Sequence, residues 1–475
     1  MQIEKSRVYI KYNYFILSCL CTMLDGFLLI FIGYNTSILS KENKWQNHPL
    51  RLVDIVYHLI SASGGVLSIY TGAQSNMSGI FFGLFISLTA FFCSFNLLEI
   101  KNFQFYLAVL FIICLSNGHI QNICTTQVVK KFSSEYRGIV YVFAYFFTQF
   151  GKFLFALILI LKKELISKGK LIPTVIPIII LILLKIISSL SILFLMRRRK
   201  NLKESYRRHQ IRKETIFDTI NRTVSINHIV THESSSIKLK SQEQITGNIT
   251  DLFQYKWRDH TFNLIFLNLS LGIQFFSMIN VFPLINGNNT LVSVEEIFFS
   301  KTLHTVFLLF IPSIFLFKKN TRKFLLFMTF SMSLLMNILI FLNVSNSSLI
   351  IHLFRFIWNV CFVTTNLYCA EAAYKHLRTV NTGFMYLMFK LSCIVEIFLI
   401  DKLISISLYV PIVLNIMILM FDMYLVTRLS VESHMKTIEK IEEELKEFIE
   451  SSISKNENSN NYSNAKYKDS MQNAN

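Results

Sequence analysis

Six polar or charged residues fall within long apolar runs, where their side chains could bind or carry a solute. They are Asp25, Gln121, Lys152, Gln274, Asn359 and Lys390. A charge at the centre of a bilayer costs at least about 2.5 kcal/mol, so such side chains should face protein or a water-filled path. Two lysines against one central carboxylate favour an anion, and the amides can donate and accept hydrogen bonds. These residues predict a central cavity for a small hydrophilic solute.

The same side chains also have structural interpretations. Lys152 and Lys390 could pair with Asp25 or Glu396 and hold helices together as buried ion pairs. His119, close to Gln121 in the chain, could be a satisfied interior group rather than a proton relay. From the sequence alone, both interpretations stay open.

Membrane-spanning helices are the elements that must position these residues. Hydrophobic residues make up 52% of the 475 residues, charged residues only 16%, and the mean hydropathy is +0.46. A helix needs about 20 apolar residues to cross a hydrocarbon core about 30 Å thick. Such runs predict an all-α polytopic membrane protein with twelve transmembrane helices, and spans three, nine and twelve hold almost no ionisable residue at depth. The predicted spans are 13–34, 51–73, 79–97, 103–126, 138–161, 171–195, 261–284, 297–317, 324–343, 349–371, 379–401 and 404–427.

The distribution of Lys and Arg predicts the orientation, because basic loops stay on the cytoplasmic side. Both termini are predicted to be cytoplasmic, although one lysine-rich loop at 162–170 would then lie on the opposite side. The protein is expected in the plasma membrane or an organelle membrane. The net charge of +18 is then a topology signal, and nucleic acid is not an expected partner. The predicted domains are an N-terminal six-helix half (1–195), a cytoplasmic central loop (196–260), a C-terminal six-helix half (261–427) and a charged helix with a disordered tail (428–475).

A related phrase occurs twice, about half the chain apart. "KKFSSEYRG" contains Arg137, and "AEAAYKHLR" contains Glu371 and Arg378; each phrase follows the fourth span of its half and leads into the fifth. Two parallel six-helix halves joined by a long loop form the plan of a transporter that rocks between two facing states. Arg137 and Arg378 are therefore predicted to steady the loops and a gate rather than to bind solute.

With this plan, the sequence resembles the major facilitator superfamily. After span two, the family has a loop motif with two glycines and an Asp-Arg pair. The equivalent segment here, "GAQSNMSG", retains Gly72 and Gly79 but has Asn76 and Met77 in place of the Asp-Arg pair. The equivalent "FKKNTRK" of the second half retains Arg322. This loss of ion pairing raises the question of how one of the two facing states is stabilised.

Within the superfamily, the second phrase is most similar to the phosphate:proton symporters and the neighbouring sugar and organic-ion transporters. Lys390 matches a lysine that binds substrate in the phosphate symporters. Gln121 and Asn268 stand where that group has acids, and Asp25 is a counterpart of its first-span acid. The resemblance implies a phosphate-like substrate, with proton coupling weakened because neither Gln121 nor Asn268 can exchange a proton.

The expected function is a secondary transporter for a small anion such as inorganic phosphate or an anionic metabolite, passive or weakly proton-coupled. A sugar or organic-cation transporter is one alternative, and a non-transporting receptor or scaffold of the same shape is another. No cofactor or metal is expected, because the eight cysteines lie in predicted spans without metal-ligand spacing. The sequence also lacks a nucleotide loop or a nucleophile with a base, so an enzyme is not expected. The expected partners are the solute, protons if coupling exists, and the lipid bilayer.

Overall fold

The computed structural model describes residues 48–74, 103–167, 248–254, 258–285, 320–342, 347–374 and 377–433, with single positions within 15–26, at 317 and within 436–447. Asp25, Gly79 and predicted spans three and six lie outside the described residues. The described helices are α1 (His48–Gln74), α2 (Phe103–Lys131), α3 (Ser134–Ser167), α4 (Arg258–Ile285), α5 (Arg322–Phe341), α6 (Ser347–Glu371), α7 (Arg378–Ile406) and α8 (Val410–Arg428). A short 3-10 helix, Ile249–Phe253, precedes α4. These eight α-helices correspond to predicted spans two, four, five, seven, nine, ten, eleven and twelve.

Several helices present apolar surface suited to lipid. Five described helices are long and apolar enough to cross a membrane. Helices α5 and α8 pack on each other, and also on α6 and α4. Their outer faces leave large apolar side chains exposed, among them Phe324, Met332, Leu335, Met417 and Tyr424. A contiguous apolar surface of this kind is unfavourable in water, so it indicates contact with lipid tails.

Helix α1 of the first half packs directly against α7 of the second half. Small residues allow this approach: a Cβ added at Gly383 would lie 2.6 Å from Cγ1 of Ile69 and 2.9 Å from the carbonyl oxygen of Gly65. The hydroxyl groups of Ser61 and Tyr386 are 2.8 Å apart in the same interface. Close packing of small residues with an interhelical hydrogen bond is a typical stabilising arrangement for helices in membranes.

Alternating chain direction gathers several helix ends at one end of the bundle. The last residues of α2, α6 and α8 meet the first residues of α3, α4, α5 and α7 there. We call this region the charged end, because it contains the buried side chains of Arg137, Arg322, Glu371 and Arg378. The link between α6 and α7 is fixed by Asn381, whose side-chain amide donates to the carbonyl oxygen of Cys369 at 2.7 Å.

Candidate functional site

Lys390 lies in the interior of the bundle, on α7, with 6% of its surface exposed. Its ammonium nitrogen is 4.7 Å from the ring centroid of Tyr57 on α1, 5.3 Å from that of Tyr386 and 5.6 Å from that of Phe389. The negatively charged faces of these rings stabilise the ammonium group. Among the described residues, no carboxylate forms a salt bridge with Lys390. The described part of the site therefore stabilises this cation through rings rather than through an acid.

A second cation, Lys152 on α3, lies near Lys390. Lys152 is partly buried, and the two ammonium groups are close enough to repel each other. None of the ion pairs found in the described ranges includes Lys152. Because α3 belongs to the first half and α7 to the second, the two lysines place positive charge on both sides of the boundary between the halves. Such a field favours an anion.

A hydrogen bond joins the halves at a second point. The hydroxyl group of Tyr145 on α3 donates to Oδ1 of Asn359 on α6, with a distance of 2.9 Å. Tyr145 also lines a small cavity of about 20 Å³, enough for one water molecule. The side chains around this cavity include Gln121 and three threonines. Tyr145 thus binds the predicted residue Asn359 and lines the same cavity as the predicted residue Gln121.

Aromatic rings link the Tyr145–Asn359 pair to Lys390. The ring centroid of Phe362 lies 6.0 Å from that of Tyr145 and 5.0 Å from that of Phe389. Trp358 stacks on Phe362 at 5.3 Å with an interplanar angle of 16°. We call this set the aromatic wall: Tyr57, Tyr145, Trp358, Phe362, Tyr386 and Phe389. Sequence reasoning missed it, because a chain with 45 Phe and 19 Tyr gives no signal by ring content alone.

Gln274 does not contact this group of residues in the described structure. Its side-chain amide donates to Oδ2 of Asp422 on α8 at 2.9 Å, inside the second half. Asp422 is fully buried and belongs to predicted span twelve, where almost no ionisable residue was expected at depth. The expectation missed it because Asp422 lies near the end of the span in sequence. This hydrogen bond joins α4 to α8, while the other carboxylate oxygen of Asp422, Oδ1, is buried without a hydrogen-bond partner among the described residues.

The remaining predicted residues are Gly72, Gly79, Asp25 and Asn268. Gly72 lies in the last turn of α1. Asp25 and Gly79 lie outside the described residues, so their proposed roles remain predictions. Asn268, the counterpart of a family acid, is buried on α4, and its amide donates to the carbonyl oxygen of Leu264 at 2.8 Å.

At the charged end, Glu371 at the end of α6 binds two arginines. Its Oε1 lies 3.5 Å from Nη1 of Arg137 on α3, and its Oε2 lies 3.4 Å from Nε of Arg322 on α5. All three side chains are at most 3% exposed. One carboxylate therefore joins the first half to the second through Arg137, and it also fixes the start of α5 through Arg322.

The glycine after Arg137 is required for this arrangement. A Cβ at Gly138 would collide with Nη2 of the Arg322 guanidinium. The Arg322 guanidinium has little freedom to move away, because Nη1 donates to the carbonyl oxygen of Phe317 at 3.2 Å and the group lies over the Phe317 ring. Gly138 thus allows α3 of the first half to approach a guanidinium of the second half.

Residues 429–433 fold back over the charged end, and we call them the tail strap. The hydroxyl group of Ser433 donates to Oε2 of Glu371 at 2.7 Å. The carboxylate of Glu432 accepts the backbone N–H groups of Arg322 at 2.8 Å and Lys323 at 3.0 Å. A carboxylate at this position satisfies free N–H groups and the positive end of the α5 dipole. Residues 431–433 are not helical and are bound here.

His260 ties the tail strap to the end of α6. It lies just before predicted span seven, and its ring nitrogens contact the Ser430 hydroxyl at 2.8 Å and the carbonyl oxygen of Ala372 at 3.2 Å. A neutral ring that donates from Nε2 and accepts at Nδ1 satisfies both contacts. Burial, together with the nearby charge of Lys323, lowers the pKa of His260 to about 4.

The repeated phrase is not symmetrical at this end. Lys130 precedes Arg137 by the same number of residues as Glu371 precedes Arg378, so the first half has a lysine where the second half has a glutamate. Lys130 donates to the hydroxyl oxygen of Thr379 at 3.2 Å, which makes another contact between the halves. Arg378 is fully buried and donates to the carbonyl oxygen of Ala373 at 3.1 Å.

Comparison with known proteins identifies the fold. No family model and no curated protein matches the chain. A crystal structure of the major facilitator superfamily transporter FucP in the outward conformation is similar over 88% of this chain and 100% of that chain, with a TM-score of 0.60 and 13% identity. A variant of the E. coli fucose:proton symporter FucP is similar over 88% and 98%, with a TM-score of 0.58 and 12% identity. The chain therefore has the major facilitator fold, which confirms the predicted fold class.

Proposed function

We propose that this multi-pass membrane protein is a secondary transporter that moves a small anionic solute by alternating access. The observation that carries the proposal is the buried ammonium group of Lys390, which lies within range of the charge of the partly buried Lys152 on the other half. Two neighbouring cations repel each other, and a bound anion would relieve that repulsion. Because each half would supply one of the two lysines, the affinity for the anion would depend on the relative position of the two halves.

Contacts at the charged end support alternating access. Glu371 and Arg137 join the halves there, as do Lys130 and Thr379. These contacts close the charged end in the structure described. For solute to leave by that end, the contacts must break, and they must re-form when the site faces the other side.

We place the charged end in the cytoplasm, in keeping with the basic loops of the sequence. Transport is proposed to be passive or only weakly coupled to protons. Gln121 and Asn268 stand where the phosphate:proton symporters have acids, and neither amide side chain can exchange a proton. In this proposal Asp25 resets the empty carrier. An imposed pH gradient across liposomes tests the coupling: strong accumulation that is lost in Asp25→Asn would overturn the passive mechanism.

The test of the function is uptake by liposomes that contain the purified protein. Radiolabelled solutes would include inorganic phosphate, a carboxylate, a neutral sugar and an organic cation. We expect anion uptake that falls at least roughly tenfold in Lys390→Gln, since a buried charge-assisted contact contributes about 1.5–3 kcal/mol. Lys402→Gln is the matched control, because Lys402 is exposed on the same helix.

A neutral sugar is the second candidate substrate, and a specific observation favours it. The Tyr145 hydroxyl, the Asn359 amide and the aromatic wall have the chemistry that binds hydroxyl groups and sugar rings. One solved structure similar to this chain is that of a fucose:proton symporter. Sugar uptake that is unchanged by Lys390→Gln would favour this candidate over an anion. A folded protein that moves no solute would instead favour a receptor or scaffold.

A further inference from the structure

We infer that the solute is an organic anion whose carboxylate is attached to a flat ring, rather than an inorganic anion such as phosphate. This inference rests on the proposed transport of an anion and narrows the class of substrate. It comes from the side chains that surround Lys390 and from the aromatic wall that leads away from it.

The neighbours of Lys390 are poorly suited to a compact oxyanion. Three ring faces surround its ammonium group at 4.7, 5.3 and 5.6 Å. Because the face of an aromatic ring carries negative charge density, it repels an anion that approaches over it. Phosphate also needs hydrogen-bond donors on several sides to replace its water, and unreplaced hydrogen bonds make burial unfavourable.

The hydroxyl groups near this lysine in sequence are already engaged: that of Ser392 donates to the carbonyl oxygen of Phe389 at 2.8 Å. Tyr386 lies four residues before Lys390, and its hydroxyl is held 2.8 Å from that of Ser61 in the contact between the halves. The Tyr145 hydroxyl donates to Asn359. Tyr145 and Tyr386 therefore offer mainly their ring faces, which bind apolar or ring-shaped groups rather than oxygens.

The aromatic wall places further rings beside the cation. Phe389 directly precedes Lys390, and the Lys390 ammonium is 5.6 Å from the Phe389 centroid. The Phe362 centroid lies 5.0 Å from that of Phe389, and Trp358 stacks on Phe362. Aromatic pairs prefer centroid separations of about 4.5–7 Å, so a substrate ring could join this series. A carboxylate on that ring would then lie near the ammonium group.

Four probes separate the contributions of ring and charge: benzoate, acetate, inorganic phosphate and benzyl alcohol. Each would be measured by uptake into liposomes and by quenching of tryptophan fluorescence, since Trp358 belongs to the wall. We expect benzoate to bind at least tenfold more tightly than acetate or phosphate. Benzyl alcohol, which has the ring without the charge, should bind at least tenfold more weakly than benzoate.

Phe389→Leu tests the ring contact, because leucine preserves an apolar side chain without a ring. We expect it to reduce the preference for benzoate over acetate at least fivefold. Phe398→Leu is the matched control, since Phe398 is exposed on the same helix. Thermal unfolding and gel filtration confirm that each variant is folded.

The outcomes distinguish the two proposals. Phosphate or acetate bound and transported as well as benzoate would overturn the ring requirement and leave anion transport standing. Equal effects of Phe389→Leu and Phe398→Leu would also overturn it. If the folded protein neither binds nor transports any of the three anions, the proposed function itself fails.

Discussion

One buried carboxylate, that of Glu371, pairs with the guanidinium groups of both Arg137 and Arg322. Loss of Glu371 would leave two buried cations near each other, whereas loss of Arg137 would leave Glu371 with Arg322 and Ser433. Breaking a buried pair from one side costs about 3–5 kcal/mol, because the remaining charge stays desolvated. The identity of each partner therefore matters more here than at an exposed ion pair.

A double-mutant cycle of Arg137→Gln and Glu371→Gln tests the contact between the halves. We expect each single variant to lower the melting temperature in detergent, and the double variant to lower it less than the sum. The coupling should correspond to about 1–3 kcal/mol. The exposed pair Arg258–Asp259, at 3.6 Å, is the control, with a coupling below about 1 kcal/mol. Strict additivity at Arg137 and Glu371 would contradict the contact.

His260 predicts a loss of stability in acid. Its pKa is about 4 in the folded protein against an ordinary value of 6.5, so the unfolded chain takes up a proton first as the pH falls. The neutral His260 ring makes its full contribution to the free energy of unfolding above about pH 6.5. That contribution, on the order of 3 kcal/mol, is lost as the pH falls from there to about pH 4. Lys323 adds to this effect by repelling the imidazolium ion.

The measurement is the melting temperature from pH 7 to pH 4.5 in the wild type and in His260→Gln. Glutamine can donate to Ala372 and accept from Ser430 without titrating. We therefore expect a shallower fall with acidification in the variant. Curves of equal slope would show that His260 does not contribute to the pH dependence.

Among the elements, the tail strap connects the last helix to the contact between the halves. Glu432 holds the start of α5, and Ser433 orients Glu371 toward the arginines. Tyr368 adds a third attachment, because its hydroxyl donates to the carbonyl oxygen of Val431 at 2.7 Å. These contacts make residues 429–433 a structural part of the charged end.

Ser433→Ala should loosen the tail strap. The lost hydrogen bond to a carboxylate contributes about 1.5–3 kcal/mol, so amide hydrogen exchange in residues 429–433 should be faster by roughly tenfold or more. Ser405→Ala is the control, since Ser405 is exposed and donates only to the nearby Lys402 carbonyl in the described contacts. Unchanged exchange in Ser433→Ala would show that this hydroxyl does not hold the strap.

The sequence patterns predicted the helices better than they predicted the contacts between side chains. Length and apolarity were sufficient for the eight described helices, because crossing a membrane imposes both. The faces were harder to predict: α4 is apolar on nearly every side, so its sequence does not show that Gln274 faces Asp422 rather than the central lysine. The gate role predicted for Arg137 stays a prediction, and its pairing with Glu371 depends on how the halves meet. No local pattern encodes that register.

At the scale of the molecule, two sets of contacts between the predicted halves stand out among the described residues, besides the Tyr145–Asn359 hydrogen bond. One lies along α1 and α7, where Gly65 and Gly383 allow close packing, and the other is the charged end. In the proposed rocking movement the charged-end contacts break while the helices within each half keep their packing. Closed contacts at one end agree with a carrier whose site is shut off from that side.

The most direct measurement of this movement is the distance between spin labels on the two halves. Ser133→Cys and Asp259→Cys place labels at exposed positions of the charged end, in a background without native cysteines. A control pair at Ser133 and Leu52 lies within the first half. In the wild type we predict a single short distance for the first pair; Glu371→Gln should add a longer population and leave the control pair unchanged. Identical distributions for the first pair in both proteins would contradict a rocking transporter gated at the charged end.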